Sequence, residues 1–249
     1  MRTFRIIPRL EIKSDNLVKG MRMEGLKIIG DPVSFASKYY KEGADEIIYE
    51  DIVATLYSRK FNLNCISRIC KNIYIPATVG GGLNSEEDIK MCLNSGASKV
   101  SINTAFFKNP MLISKSVKRF GTQCICLQLQ YQKIGDDYFC FHTSGRENSK
   151  MLLKDAILKG IELGVGEIHL ISIYQDGLLK GTDFDLLSRI REYCEIPIIV
   201  GGGIGSIEDI KKIIDIRLDG VAIGAALHKN ILNLKKIKKK LSNKSLNIR

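Results

Sequence analysis

One block of this chain is written twice. Ile75-Pro-Ala-Thr-Val-Gly-Gly-Gly-Leu-Asn-Ser-Glu-Glu-Asp-Ile-Lys90 aligns without a gap on Ile196-Pro-Ile-Ile-Val-Gly-Gly-Gly-Ile-Gly-Ser-Ile-Glu-Asp-Ile-Lys211, and carrying the alignment to Asn109 and Asn230 leaves 16 of 35 positions identical. The same offset pairs Glu46 with Glu167. Each copy reads as a β-branched strand, a Gly-rich turn and a Ser-capped helix, so the chain is two related halves built of strand and helix units. Apolar runs at 4–12, 46–52, 75–79, 99–103, 123–130, 167–173, 197–201 and 220–224 alternate with stretches carrying apolar residues at i, i+3 and i+4, among them 31–42, 86–94, 150–163, 183–193 and 207–214. Eight strands with helices between them predict a parallel sheet with crossovers, and eight is the number that closes a barrel. The expected fold is α/β: a single-domain (β/α)8 TIM barrel over residues 1–249, with half-barrels of about 1–120 and 121–249.

Composition agrees with one packed domain and narrows the partners. The 249 residues are 45% hydrophobic and 26% charged, which excludes a disordered or fibrous chain. No apolar run reaches the roughly 18 to 20 residues of a membrane span, and the first residues lack a signal-peptide pattern, so a cytoplasmic protein with no membrane partner is expected. The net charge of +11 suits anionic ligands. Part of it lies near the C-terminus, where Lys229, Lys235, Lys236, Lys238, Lys239, Lys240 and Lys244 surround Ile231, Leu234, Ile237 and Leu241. That spacing predicts an amphipathic helix with a solvated lysine face rather than a nucleic-acid site. Seven cysteines without a C-x-x-C pattern predict free buried thiols.

In such a barrel the chemistry gathers just after the C-terminal ends of the strands. The Gly triplets at 80–82 and 201–203 fall there, each opening a helix capped by Ser85 or Ser206. Exposed backbone N–H groups and a helix N-terminus make each turn a phosphate cradle. One cradle is expected from Gly81, Gly82, Ser101, Asn103, Thr104 and Ser144, the other from Gly177, Gly202, Gly203, Gly224 and Ala225. A ligand with two phosphates would span the mouth between them. The other polar groups near strand ends include Glu11, Lys19, Glu50, Asp51, Gln130, Asp176 and His228, with Lys19 in a Gly-bearing stretch read as a loop that could close as a lid. His142 and His169 read as solvent-facing or structural. No histidine stands at metal-ligand spacing with another His, Cys or carboxylate, so neither a metal nor a cofactor is expected.

At the opposite end, Arg5, Glu46, Lys99 and Glu167 stand at the beginnings of strands. Two cations and two carboxylates form a neutral ring, which read on its own is either a stabilising plug or a gate.

Taken together, Arg5-Ile-Ile-Pro8, Val18-Lys19-Gly20, Gly30-Asp-Pro32, Asp51-Ile52, Val79-Gly-Gly-Gly82, Lys99-Val-Ser-Ile-Asn-Thr104, Phe120-Gly-Thr-Gln123, Thr143-Ser-Gly145, Gly166-Glu167-Ile168 and Asp176-Gly177 with Gly181 resemble the cyclase subunit of imidazole glycerol phosphate synthase over nearly the whole chain. The resemblance implies ammonia chemistry. A class I glutaminase would dock as a heterodimer on the N-terminal barrel face, and ammonia would pass the ring of Arg5, Glu46, Lys99 and Glu167 toward a phosphate-bearing substrate at the mouth. The ring then becomes a gate. One docking position differs, because Ser98 replaces the acidic residue usual before the ring lysine.

The catalytic positions differ more. The family places aspartates at the ends of strands 1 and 5 as acid and base, and here those positions hold Glu11 and Gln130. Glutamine does not ionise, and the longer Glu11 moves its carboxylate about one bond into the mouth. Glu50 and Tyr174 are also unusual, beside Asp51 and Asp176. A retained gate with an altered acid–base pair implies the branch that supplies ammonia for an acetamidino group on a nucleotide-linked sugar in surface-polysaccharide synthesis. The alternatives are a true histidine-pathway cyclase, a non-catalytic conduit feeding a separate sugar-amidating synthetase, and the sister isomerase of the same pathway.

Overall fold

Eight parallel strands close on themselves. The computed structural model describes residues 3–57, 59, 61–241 and 247–248. Its strands are β1 (Thr3–Lys13), β2 (Asn16–Met21), β3 (Glu24–Gly30), β4 (Ile47–Asp51), β5 (Ala77–Gly80), β6 (Lys99–Ile102), β7 (Ile125–Ile134), β8 (Asp137–His142), β9 (Glu147–Leu152), β10 (Glu167–Ser172), β11 (Ile198–Gly201), β12 (Gly220–Ile223) and the short β13 (Asn247–Ile248). The barrel runs β1, β4, β5, β6, β7, β10, β11, β12 and returns to β1, each neighbour parallel. Helices connect the barrel strands on the outside, so the protein is a (β/α)8 TIM barrel.

The connecting helices start where the sequence supplies caps. Asp31 accepts from the Ser34 backbone N–H at 2.8 Å and Pro32 follows it, fixing the first turn of Pro32–Lys41. Ser85 and Ser206 cap Glu86–Asn94 and Ile207–Asp215 by the same bond, and Asp209 completes a capping box on the second. Apolar residues divide into two sets. A large set fills the layer between barrel and helices, while Ile7, Ile48, Ile199 and Ala222 pack together inside the barrel.

Two strands overrun the rim. β1 continues into the antiparallel hairpin β2–β3, and β7 into β8–β9. The stretch holding Lys19 is therefore strand β2, not a loop. Residues 147–152 pair as β9, so the helix expected from 150 begins at Leu153. Glu11 lies beside Glu50, and Gln130 beside Ile171. Glu50 and Ile171 are separated by the repeat offset, 171 − 50 = 121, so Glu11 and Gln130 occupy matching places in the two halves. The last helix is Leu234–Leu241, with Leu234, Ile237 and Leu241 buried. Ile231 lies before it and is 53% exposed, and Lys244 falls outside the described residues. No helix among the described residues is long and apolar enough to cross a membrane.

Candidate active site

The two Gly turns carry conformations that a side chain would block. Gly81 has φ +97°, and a Cβ there would sit 2.1 Å from the Asp51 carbonyl oxygen. Gly202 has φ +90°, and its Cβ would meet the Ser172 carbonyl at 2.5 Å. Each turn is thus pressed against the end of the neighbouring strand.

Around them the expected cradle residues fall into two groups. Gly81, Gly82, Ser101, Asn103, Thr104 and Ser144 line one cavity of about 30 Å³, together with Glu50, Asp51, Gln128 and Gln130. Two buried polar atoms facing it, Ser101 Oγ and Gln130 Oε1, have no hydrogen-bond partner among the described residues. Such atoms are what a polar ligand would satisfy. Gly177, Gly202, Gly203, Gly224 and Ala225 line a second cavity of about 10 Å³, with Arg9 and Asp176.

Between the cavities lies a buried charge network centred on Arg9. Its guanidinium is 2.8 Å from Glu11, 2.7 Å from Glu50 and 3.4 Å from Asp176. Lys19, reaching in from β2, is 2.7 Å from Glu11 and 2.6 Å from Asp176. Lys19 is thus buried over the mouth rather than exposed. Burial acts to lower the Arg9 and Lys19 pKa values, but Glu50, Glu11 and Asp176 around Arg9, and Glu11 and Asp176 around Lys19, outweigh it and hold both above their ordinary values. Arg9 was not among the expected site residues. It stands on the inward row of β1, in step with Arg5 and Glu11, and that period of two was the signal for it.

Three neighbours complete the mouth. Asp51 Oδ1 accepts from the backbone N–H groups of Val53 and Ala54 at 3.1 and 2.9 Å, yet burial pushes its carboxyl up. Gln130 donates to Gln128 at 3.3 Å. His228, buried behind Arg9, donates from Nε2 to the Arg9 carbonyl at 3.1 Å and accepts at Nδ1 from the Tyr39 hydroxyl at 2.8 Å. Burial, then Lys19, lowers its pKa to about 4. Tyr174 is 52% exposed under the guanidinium of Arg22.

At the other end the ring residues meet. Arg5 bridges Glu46 at 3.0 Å and also bonds Glu167, and Lys99 is 2.8 Å from Glu46 and 2.9 Å from Glu167. Thr78 donates to Glu46. Burial raises the Glu167 carboxyl, but its bond to His169, together with Lys99 and Arg5, holds it well below the usual carboxylate range.

Of the two places read for His169, solvent-facing or structural, it takes the structural one. It is fully buried, with Nε2 2.7 Å from Glu167 Oε1, and Cys126 Sγ lies 3.6 Å from the same oxygen. The spacing Glu167-x-His169 places both on one face of β10, as alternation along a strand dictates. Cys126, Glu167 and His169 offer donor atoms within 4.8 Å of one another. Two cations already contact the Glu167 carboxylate, and burial pushes the Cys126 thiol well up, so these donors suit a divalent cation poorly.

Residues 5–233 match the histidine biosynthesis protein family. The chain belongs to that family. It is 39% identical over 246 residues to an imidazole glycerol phosphate synthase subunit HisF of Natranaerobius thermophilus, covering 98% of each chain. It is 42% identical over 210 residues to the HisF of Legionella pneumophila, covering 84% of this chain and 99% of that one. With the HisF of Saccharolobus solfataricus it shares 39% identity over 250 residues, the full length of both. Relatives of this family are thus named as subunits of an enzyme.

Proposed function

We propose that this chain is the ammonia-using barrel subunit of an imidazole glycerol phosphate synthase-type complex, with a class I glutaminase on its N-terminal face. One observation carries the reading: a neutral ring of Arg5, Glu46, Lys99 and Glu167 closes one end of the barrel, and two Gly-lined cavities open at the other. A plug alone would need no ligand cavities beyond it. The test is Arg5→Ala in the complex with the glutaminase. Glutamine-dependent turnover should fall on the order of tenfold relative to turnover with added ammonium, about 1.4 kcal/mol of lost coupling. An equal change in both would sink the gate.

For the acceptor, the names of the relatives support ring closure and cleavage on the histidine-pathway bisphosphate, and this reading comes first. On it, Glu11 is one proton carrier. Asp51, whose carboxyl is raised and which borders the same cavity as Gln130, supplies the second that Gln130 cannot. Gln130 then holds substrate by hydrogen bonds.

A second reading is favoured by the Arg9 network. Glu11, the remaining family-position carboxylate, has one oxygen, Oε1, shared by Arg9 and Lys19, so that oxygen is already tied to two cations. Ammonia would then be delivered to another acceptor, with sugar amidination in surface-polysaccharide synthesis as the chemistry the resemblance suggests. Incubation with the bisphosphate and excess ammonium separates the two. Imidazole product lost in Glu11→Ala supports the cyclase; no product from protein that still binds phosphate supports the other acceptor.

A further inference from the structure

Strand alternation puts Glu167 and His169 on the same inward face of β10, so His169 stands one layer deeper than the ring. Its neighbours at that level are Gln128 on β7 and Ile199 on β11. Ile199 packs with Ile7, Ile48 and Ala222 inside the barrel. A small molecule that passed the ring would meet this layer next.

The imidazole has one satisfied nitrogen and one empty one. Nε2 is 2.7 Å from Glu167 Oε1, and that carboxylate is held ionised beside Arg5 and Lys99. An ionised carboxylate only accepts, so Nε2 carries the proton and donates. In the neutral imidazole Nδ1 is then a bare lone pair, and among the described residues it has no hydrogen-bond partner although the residue is fully buried. A buried acceptor without a donor is costly, so such positions are filled by water or by a ligand.

Resting on the ammonia reading above, we infer that Nδ1 of His169 is an ammonia-binding site directly behind the ring, accepting one N–H of the incoming molecule. Its surroundings select neutral ammonia over ammonium. Arg5 and Lys99 stand in front of it, and the wall beyond is made of Ile7, Ile48, Ile199 and Ala222, where a cation would lose its hydration without compensation. The site is a stepping point: ammonia exchanges a bond to water for a bond to Nδ1 and is then released toward the mouth.

Side-chain nitrogen NMR on untagged protein labelled with 15N-histidine reads this lone pair directly. The chain has three histidines, so His169→Gln assigns the signal. If that variant does not fold, His142→Gln and His228→Gln assign it by elimination. Titration with ammonium chloride at mildly alkaline pH should move the Nδ1 resonance of His169 saturably, and potassium chloride at equal ionic strength should not. No saturable movement, or equal movement with potassium, overturns the site and leaves water as its occupant. The Arg5→Ala comparison makes no use of His169. A silent resonance with a successful comparison removes the His169 site alone, while a moving resonance with a failed comparison keeps the site and removes the glutaminase coupling.

Discussion

Arg9 and Glu11 lie 2.8 Å apart at the centre of the barrel mouth, each only 3% exposed. An inward row with period two on β1 thus carries Arg5 at the ring and, past Ile7, this pair at the mouth. Charges so deep in a barrel persist only as a matched set, because each left alone would be an uncompensated buried ion.

Arg9→Ala should therefore cost about 3–5 kcal/mol of stability, by leaving Glu50 buried without its cation and Glu11 with Lys19 alone. Replacing the pair together, Arg9→Met with Glu50→Leu, should cost less than the sum of the two single changes. Urea unfolding of all four proteins gives the coupling; strict additivity would show that the network is not cooperative.

Phosphate should stabilise the fold. At a concentration one hundred times its Kd a ligand adds about 2.7 kcal/mol, which for a chain of this size raises Tm by roughly 5–10 °C. Ser101→Ala should shrink the shift, since the Ser101 hydroxyl faces the first cavity without a partner among the described residues. A thermal scan with inorganic phosphate and with a bisphosphate decides it, and an unchanged Tm at high ligand would reduce the Gly turns to turns.

Acid should weaken the protein through His228. Its folded pKa of about 4 lies below the unfolded value near 6.5, so below pH 6.5 the unfolded chain takes up a proton that the folded chain refuses. Stability is lost as pH falls from 6.5 to 4, up to about 3 kcal/mol. His228→Gln should flatten that slope in denaturant titrations across the same range, and a slope unchanged by the substitution would place its cause elsewhere.

Glu11→Asp with Gln130→Asp restores the pair usual in the family. Under the second reading the parent makes no imidazole product from the bisphosphate and ammonium, and the double variant makes some. Under the first, the parent is already active and the double variant changes its rate without creating an activity. Product assays on the purified barrel distinguish these outcomes.

The repeat, the two Gly triplets and the strand-end charges were legible in the sequence because each is local: a turn needs its glycines, a cap its serine, and strand and helix differ in apolar period. All eight barrel strands were foreseen to within a few residues, and the two groups of cradle residues line separate cavities. What could not be read was which inward side chains touch. Lys19 looked like a loop residue because pairing of β2 to β1 depends on residues that the stretch itself does not contain. His169 looked unremarkable because its environment comes from the ring assembled by β1, β4, β6 and β10. Arg9 became the centre of the mouth only when barrel closure brought Glu50 from β4 and Asp176 from after β10 to the same point. Sequence set the elements and their order. Tertiary structure decided the partners, because a charge's cost and its pKa depend on what closes around it, and closure is a property of all eight strands at once.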